Sequence, residues 1–127
     1  MDWETKKRSL ETGDENGAQF VAPQYTKPTV SISSPTDSSS HNAYTYVTIT
    51  ASVSSGYSIS NVKYKVTSRD DFTYDSGFVT MSLSGGSYTG SWYTGSREGY
   101  FYVTVRAKHS QGIYGYDWHT IYLPGPI

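Results

Sequence analysis

Three histidines, His41, His109 and His119, and the carboxylate Asp117 form one group of residues whose types could hold a metal ion. Asp117 and His119 are two positions apart on a predicted strand and share one of its faces, while His109 lies across the last predicted hairpin. Two imidazoles and a carboxylate can bind zinc. Because the spacing matches no compact zinc motif and His41 lies in a serine-rich loop, we predict no metal site and interpret these residues as structural.

A second group of carboxylates lies in one turn-rich loop, Ser68–Asp75. Asp70, Asp71 and Asp75 could bind Ca²⁺ together with backbone carbonyl groups. The loop lacks the regular Asp-x-Asp-x-Asp-Gly pattern, and Arg69 offsets part of its charge. A solvated loop is therefore the favoured interpretation, and we predict no cofactor.

No set of residues in the sequence indicates catalysis. Serine is abundant, with 20 residues, yet no Gly-x-Ser-x-Gly motif of a nucleophile elbow is present. The chain has no cysteine, which excludes thiolate nucleophiles, thiolate metal ligands and disulfides. Since no acid, base and nucleophile recur at a credible spacing, we predict that the protein is not an enzyme.

Aromatic side chains give the sharpest candidate for binding. In Tyr114–Leu123, the aromatic residues alternate with Ile121 and Leu123, so that the two sets occupy opposite faces of one strand. One of the two sets faces the core. If Ile121 and Leu123 are inward, the candidate ligand or partner face consists of Tyr100, Tyr102, Arg106, Tyr116, Trp118 and Tyr122, flanked by Lys63 and Lys65 if their strand joins the same sheet. Exposed aromatic patches mark interaction sites, and rings with polar tips can stack on sugars or anchor interfaces.

Structural interpretations of these rings remain open beside binding. A one-residue shift in register would exchange the faces and place Trp118 in the core. Cross-strand tyrosine pairs also stabilise sheets without a ligand, and the N-terminal tail or a neighbouring domain could cover the face. Trp92 alternates with Tyr88 and Gly90, and we predict it in the core. Solvent exposure of Trp118 is the feature that separates these interpretations.

Composition and periodicity predict that strands position these side chains. The chain has 13 tyrosines and 15 threonines but only three leucines, a balance that favours strands over helices. Seven strands are predicted, at Thr29–Ser33, Tyr46–Ser54, Ile59–Thr67, Phe78–Ser84, Ser87–Tyr93, Tyr100–Lys108 and Tyr114–Leu123. Their regular spacing without helical crossovers predicts an all-β fold, a seven-stranded antiparallel β-sandwich or small barrel.

The first 27 residues differ from the rest of the chain. Residues 1–28 carry nine of the 21 charged residues and show no sustained apolar period. A segment this polar buries too little surface to offset its ordering entropy. We predict a linker or flexible tail over 1–27, in which Ala18–Ala22 could dock, and one domain over 28–127. A specific docking peptide is the alternative for the tail.

Charge and hydropathy exclude two kinds of partner. A net charge of −1 and a pI near 6.3 provide no broad basic field, so no nucleic acid is expected. No apolar run approaches the roughly 18 residues that span a bilayer, so no membrane insertion is expected. The opening residues contain no apolar stretch typical of a signal peptide.

Several segments resemble, in order and spacing, the strands of one family. They are Pro28–Pro35 (PTVSISSP) for the first strand, Val47–Val53 (VTITASV) for the second, Ile59–Val66 (ISNVKYKV) for the third, Ser87–Trp92 and Gly99–Ala107 for the paired fifth and sixth, and Ser110–Gly112 for the final hairpin turn. Over residues 28–124 the chain thereby resembles bacterial and archaeal Ig-like and fibronectin type III-like modules. It departs from many of them at Phe101, where a tyrosine often begins the sixth strand and forms a tyrosine corner.

The resemblance implies a non-catalytic Ig-like or fibronectin III-like sandwich from a larger extracellular or cell-surface protein. Its register puts Ile121 and Leu123 inward, so that the aromatic face of the last strands points outward. Such a module would act as a spacer and as an adhesion surface. Its expected partners are neighbouring domains of the same polypeptide, and a polysaccharide or a surface protein. The alternative is a carbohydrate-binding module that uses the exposed aromatic face of the last strands as a stacking platform.

Overall fold

The computed structural model describes residues 25–70 and 72–126, so most of the predicted tail, including Ala18–Ala22, lies outside the described residues. The described chain forms nine strands: β1 (Thr29–Ser34), β2 (Ser39–Ser40), β3 (Tyr46–Ser54), β4 (Ile59–Ser68), β5 (Val79–Thr80), β6 (Ser82–Ser84), β7 (Ser87–Tyr93), β8 (Gly99–His109) and β9 (Tyr114–Leu123). Over these ranges, no helix has the length and apolar character needed to cross a membrane.

The strands form two sheets that pack face to face. One sheet has four strands in the order β1-β3-β7-β6, and the other has five in the order β2-β9-β8-β4-β5. The prediction of an all-β, Ig-like sandwich is confirmed. The prediction of wholly antiparallel pairing is wrong at one edge, because the two-residue strand β2 runs parallel to β9.

The number of strands is nine rather than seven for two reasons: β2 lies between two predicted strands, and one predicted strand serves both sheets. Phe78–Ser84 divides at Met81, so that β5 pairs with β4 and β6 pairs with β7. Met81 is buried between the two short strands, and its amide donates to the Val62 carbonyl at 2.9 Å. The chain crosses from one sheet to the other at this buried side chain. Strand periodicity alone does not reveal the crossing.

The fifth and sixth strands of the sequence prediction, β7 and β8, do not pair with each other. They lie in different sheets, and β8 pairs instead with β4 and β9. The connection between them is fixed by Thr94, which is fully buried. Its hydroxyl donates to the Asn42 carbonyl at 2.9 Å and accepts the Thr45 amide at 3.1 Å. These bonds anchor the connection at the point where the chain changes sheets.

Alternate residues of both sheets form one core. The buried apolar side chains are Val30, Ile32, Val47, Ile49, Ala51, Val62, Tyr64, Val66, Met81, Trp92, Phe101, Val103, Val105, Ala107, Ile121 and Leu123. Trp92 is in the core as predicted, 5.8 Å from the Phe101 ring. Its indole N–H donates to the Tyr74 hydroxyl at 3.0 Å, which satisfies the polar group of an otherwise buried ring.

Tyr64 ties the two sheets together through its hydroxyl. The ring is buried, and the hydroxyl donates to the Ser91 carbonyl of β7 at 2.8 Å. Burial raises the pKa of Tyr64, which keeps the hydroxyl protonated and able to donate. The ring lies directly over Gly90, where an added Cβ would come within 2.7 Å of a ring carbon. Position 90 therefore has no room for a side chain.

We expect Gly90→Ala to destabilise the domain by about 1–3 kcal/mol, because the methyl group would force the hydrogen-bonded Tyr64 ring to move. Gly56→Ala is the matched control, since a Cβ there would meet no atom within 4 Å. Denaturant unfolding of both variants measures the difference. Equal stability of the two variants would contradict the close approach of Tyr64 to β7.

The described end of the predicted tail contacts the sandwich. The Thr26 carbonyl accepts the Nε2–H of His109 at 2.9 Å, and His109 is fully buried. The Tyr25 ring packs edge-on against Tyr57, with 5.5 Å between centroids. A Cβ at Gly115 would collide with the Pro28 carbonyl. Residues 25–28 thus cover one end of the five-stranded sheet.

Two truncations measure the contribution of these contacts. We expect the chain that begins at residue 28 to be less stable than the chain that begins at residue 25 by about 1–3 kcal/mol, because the imidazole N–H of His109 loses its acceptor. The difference in their free energies of unfolding isolates residues 25–27. Indistinguishable stabilities would show that the Thr26–His109 bond contributes nothing.

Candidate functional site

The outer face of β8 and β9 carries the predicted ligand residues. We call Tyr100, Tyr102, Arg106, Tyr116, Trp118 and Tyr122 the outer aromatic face. The register is the predicted one: Ile121 and Leu123 are fully buried, whereas Trp118 is 61% exposed and Tyr116 53% exposed. The one-residue shift that would have placed Trp118 in the core does not occur.

Cross-strand pairing brings these side chains into neighbouring rows. Tyr100 lies opposite Tyr122, with ring centroids 4.9 Å apart, and this pair supports the sheet directly. Trp118 instead lies opposite Thr104, and the two line a shallow depression together with Tyr102. The indole is therefore the most exposed ring of the face and has a small side chain beside it, an arrangement that leaves room for a ligand.

Strand β4 joins the same sheet, so its lysines flank the rings as the sequence analysis expected. Lys63 lies opposite Arg106, and Lys65 lies opposite Thr104. Lys65 is 3.4 Å from the Asp75 carboxylate. A hydrogen bond from the Gly77 amide and the charge of Lys65 lower the pKa of Asp75, so this carboxylate is ionised at neutral pH.

The face is larger than the sequence prediction, because three further side chains contact it. The Arg106 guanidinium lies 3.8 Å from the Phe78 ring centroid and 4.6 Å from that of Tyr114, between the two rings. Lys108 approaches Tyr114 to 5.6 Å. Strand alternation could have identified Tyr114 and Lys108, but Phe78 precedes a short edge strand whose position depends on the tertiary fold.

One end of the face opens into a cavity of about 400 Å³. Arg69 lies over the Tyr100 ring at 4.2 Å and is paired with Asp70 at 2.9 Å. On the opposite side of the cavity, the Asp37 carboxylate accepts the Thr120 amide at 2.8 Å. The charged groups that line this cavity are thus held by contacts within the protein.

The histidines considered as metal ligands have structural contacts. His109 Nδ1 accepts the Gln111 amide at 3.1 Å, which together with the Thr26 bond occupies both ring nitrogens. His119 Nδ1 donates to the Pro35 carbonyl at 2.7 Å. His41 is hydrogen-bonded to Ser39 at 2.8 Å, and burial lowers its pKa. The structure thus assigns these imidazoles to loop and strand packing.

Asp117 caps the free edge of β1. One carboxylate oxygen accepts the Ile32 amide at 2.9 Å, and the other accepts the Trp118 amide at 2.9 Å. Within residues 25–70 and 72–126, no three histidine or carboxylate side chains come together in a way that could hold a metal ion. The Asp117 carboxylate thus accepts two backbone amides, and its Oδ2 lies 4.0 Å from Nε2 of His119, the residue with which it shares a strand face.

In the loop considered for calcium, the described carboxylates contact protein groups. Asp70 pairs with Arg69, and Asp75 accepts the Gly77 amide at 2.8 Å in addition to its contact with Lys65. Asp71 lies outside the described residues. Asp70 and Asp75 are thus both engaged with cationic side chains of the protein, one in the loop and one on β4.

Fluorescence quenching tests the exposure of the face. In a Trp3→Phe background, we expect acrylamide to quench Trp118 readily and Trp92 poorly, because Trp92 is only 5% exposed and its indole N–H is hydrogen-bonded. Adding Trp118→Phe should remove the readily quenched component. A quenching constant that stays unchanged in this double variant would contradict the orientation of β9.

Comparison with known proteins agrees with this architecture. The chain is similar to a structure titled "Structures of Clostridium thermocellum CbhA fibronectin(III)-like modules", with 20% identity and a TM-score of 0.58, over 77% of this chain and 98% of that one. It is also similar to part of an engineered protein, with 19% identity and a TM-score of 0.59, over 81% of this chain and 21% of that one. At these identities the likeness concerns the fold alone.

Among curated proteins, none matches the chain. The model of one family does match, that of the bacterial Ig domain, over residues 28–105. This region contains the strands from β1 to the middle of β8 and covers more than half of the 127 residues. The chain therefore belongs to the bacterial Ig domain family.

Proposed function

We propose that the chain is a non-catalytic module of a larger extracellular or cell-surface protein, in which it separates neighbouring domains and provides an adhesion surface. The observation that carries this proposal is the exposure of the outer aromatic face. Trp118 and Tyr116 present large rings to solvent, whereas Ile121 and Leu123 of the same strand are fully buried on its opposite face. Exposed aromatic patches of this kind mark interaction sites on soluble domains.

Rigidity makes this face suitable for binding. Strand β8 is paired on both sides, with β4 and β9, so the backbone beneath the rings is fixed by hydrogen bonds. A ligand that binds there orders few side chains, because the aromatic rings have little rotational freedom to lose. The sandwich thus supplies a preorganised platform, and its core residues take no part in binding.

The path of the chain supports the spacer role. The Pro28 carbonyl packs against Gly115 at the start of β9, and Pro124 follows the end of β9 at Leu123. The described chain therefore enters the sandwich at one end of β9 and leaves it at the other. At about 3.3 Å per residue, the ten-residue strand separates these two points by roughly 30 Å. Domains attached at both ends would be held apart.

Carbohydrate binding is a second candidate for the same face, and the surroundings of Trp118 favour it. The small residue Thr104 lies opposite the indole, so a flat ligand can approach the ring without displacing another aromatic side chain. Sugars present C–H faces that pack against such rings while their hydroxyl groups bond to polar neighbours. Tyr102 and Thr104 supply hydroxyl groups on the same depression.

Binding assays with a panel of polysaccharides and surface-protein extracts test the use of this face. We expect Trp118→Ala to weaken binding about tenfold or more, as truncation of an exposed aromatic anchor does at an interface. Tyr46→Ala is the matched control, because Tyr46 is 68% exposed on the other sheet. If Trp118→Ala and Tyr46→Ala weakened binding equally, or if neither weakened it, the outer aromatic face would be excluded as the adhesion surface.

A further inference from the structure

We propose that the ligand of the outer aromatic face is an acidic polysaccharide, one whose sugar rings carry carboxylate groups. This inference rests on the proposed binding function of the face and names its ligand class. It comes from the distribution of charge on the sandwich, which is independent of the exposure of the rings. Aromatic rings and cations lie side by side on one sheet. The rings can stack on the faces of a uronic acid, and the cations can bind its carboxylate.

Positive charge is concentrated on this side of the molecule. Residues 28–126 contain six lysines and arginines, and four of them, Lys63, Lys65, Arg106 and Lys108, lie on β4 and β8. The strands of the four-stranded sheet, by contrast, contain no charged residue. The cations of the sandwich strands are thus confined to the five-stranded sheet.

Most of these cations lack an acidic partner. Among the described residues, only Lys65 of the four has a carboxylate within ion-pair distance, that of Asp75. Asp117 is the one acid on the neighbouring strand β9, and its oxygens bind backbone amides of Ile32 and Trp118. Within residues 25–70 and 72–126, Lys63, Arg106 and Lys108 thus have no carboxylate at ion-pair distance, and their positive potential attracts an anion.

Arg106 is held in place for such an anion. The Phe78 and Tyr114 rings enclose its guanidinium, and its Nε atom is buried without a hydrogen-bond partner. Stacking restricts the side chain, so little rotational entropy remains to be lost when a ligand binds. A guanidinium also matches the two oxygens of a carboxylate, with which it forms paired charge-assisted hydrogen bonds.

The spacing of the strands matches one sugar residue. Tyr116 lies opposite Arg106, and Trp118 lies one row further along β9. Neighbouring strands are about 4.8 Å apart, and successive outward residues of a strand are about 6.8 Å apart. A sugar stacked on Trp118 or Tyr116 therefore brings a carboxylate on its own ring within reach of Arg106, and Lys63 is one strand further. An acidic peptide would meet the cations but offers no flat C–H faces to the indole.

Polygalacturonate is the probe, and its fully methyl-esterified form is the uncharged control with the same sugar backbone. We expect polygalacturonate to bind at least about fivefold more tightly than the ester, and its binding to weaken as salt is raised. Lys63→Gln/Lys108→Gln should remove most of this preference. Lys6→Gln/Lys7→Gln removes two charges from the N-terminal segment and should not. Thermal melting confirms that each variant is folded.

The remaining outcomes separate this inference from the proposal on which it rests. Equal binding of the acid and the ester, lost in Trp118→Ala, would overturn the acidic ligand and leave carbohydrate binding in place. Binding of poly-L-glutamate as tight as that of polygalacturonate, and insensitive to Trp118→Ala, would also overturn it, since charge alone would then suffice. If no polysaccharide or surface protein bound, both the inference and the adhesion role would fail.

Discussion

The continuous pairing of β8 with β9 is the constraint on which both the core and the candidate site depend. The register runs without a break from Gly99 opposite Leu123 to Lys108 opposite Tyr114. Because side chains alternate between faces, this one register places Val103 and Val105 inside and the aromatic rings outside. A shift of β9 by one residue would expose Ile121 and Leu123 at a cost of about 1.5–3 kcal/mol for each.

In a chain without cysteine, hydrogen bonds from aromatic rings help to join the two sheets. Tyr64 reaches from β4 to the Ser91 carbonyl of β7. Tyr74 accepts the Trp92 indole N–H and packs against Phe101 at 6.2 Å between centroids. Phe101 has no hydroxyl with which to form a tyrosine corner, but Tyr64 and Tyr74 form hydrogen bonds between the two layers. This explains how the core tolerates phenylalanine at the start of β8.

Strict alternation made the long strands predictable from the sequence. Val47, Ile49 and Ala51 identify β3 unambiguously, and the same pattern identifies β4, β8 and β9. The sequence did not reveal β2, because two serines carry no periodicity. It merged β5 with β6, because Val79, Met81 and Leu83 alternate with polar residues as the residues of one strand would. The pairing partners of β7 and β8 could not be predicted either. The two strands follow one another in the chain, but the connection that contains Thr94 carries the chain from one sheet to the other, so they do not pair with each other.

The same limits apply to the candidate site. Alternation places the rings of β9 on one face of the strand, and the register implied by the family resemblance turns that face outward, so the orientation of Trp118 could be predicted. Phe78 could not, since it reaches Arg106 only because the chain leaves β4 through a polar loop and returns along its edge at β5. Whether residues 28–127 form one independent domain, and whether the outer aromatic face binds a ligand, are still predictions.

Because the site and the core use opposite faces of the same strands, their requirements are separate. Val105 is buried on the inner face of the sheet, whereas Trp118 and Lys63 lie on its outer face. Substituting either of them therefore changes no buried contact of Val105. Arg106 is the exception, since its stacking on Phe78 also holds the segment that leads into β5. A loss of binding after substitution of this arginine would therefore combine two effects, whereas substitution of Lys63 and Lys108 removes charge at the loss of one distant ring contact, that of Lys108 with Tyr114 at 5.6 Å. For this reason the electrostatic contribution of the face is better measured with variants of Lys63 and Lys108 than with variants of Arg106, which lies at its centre.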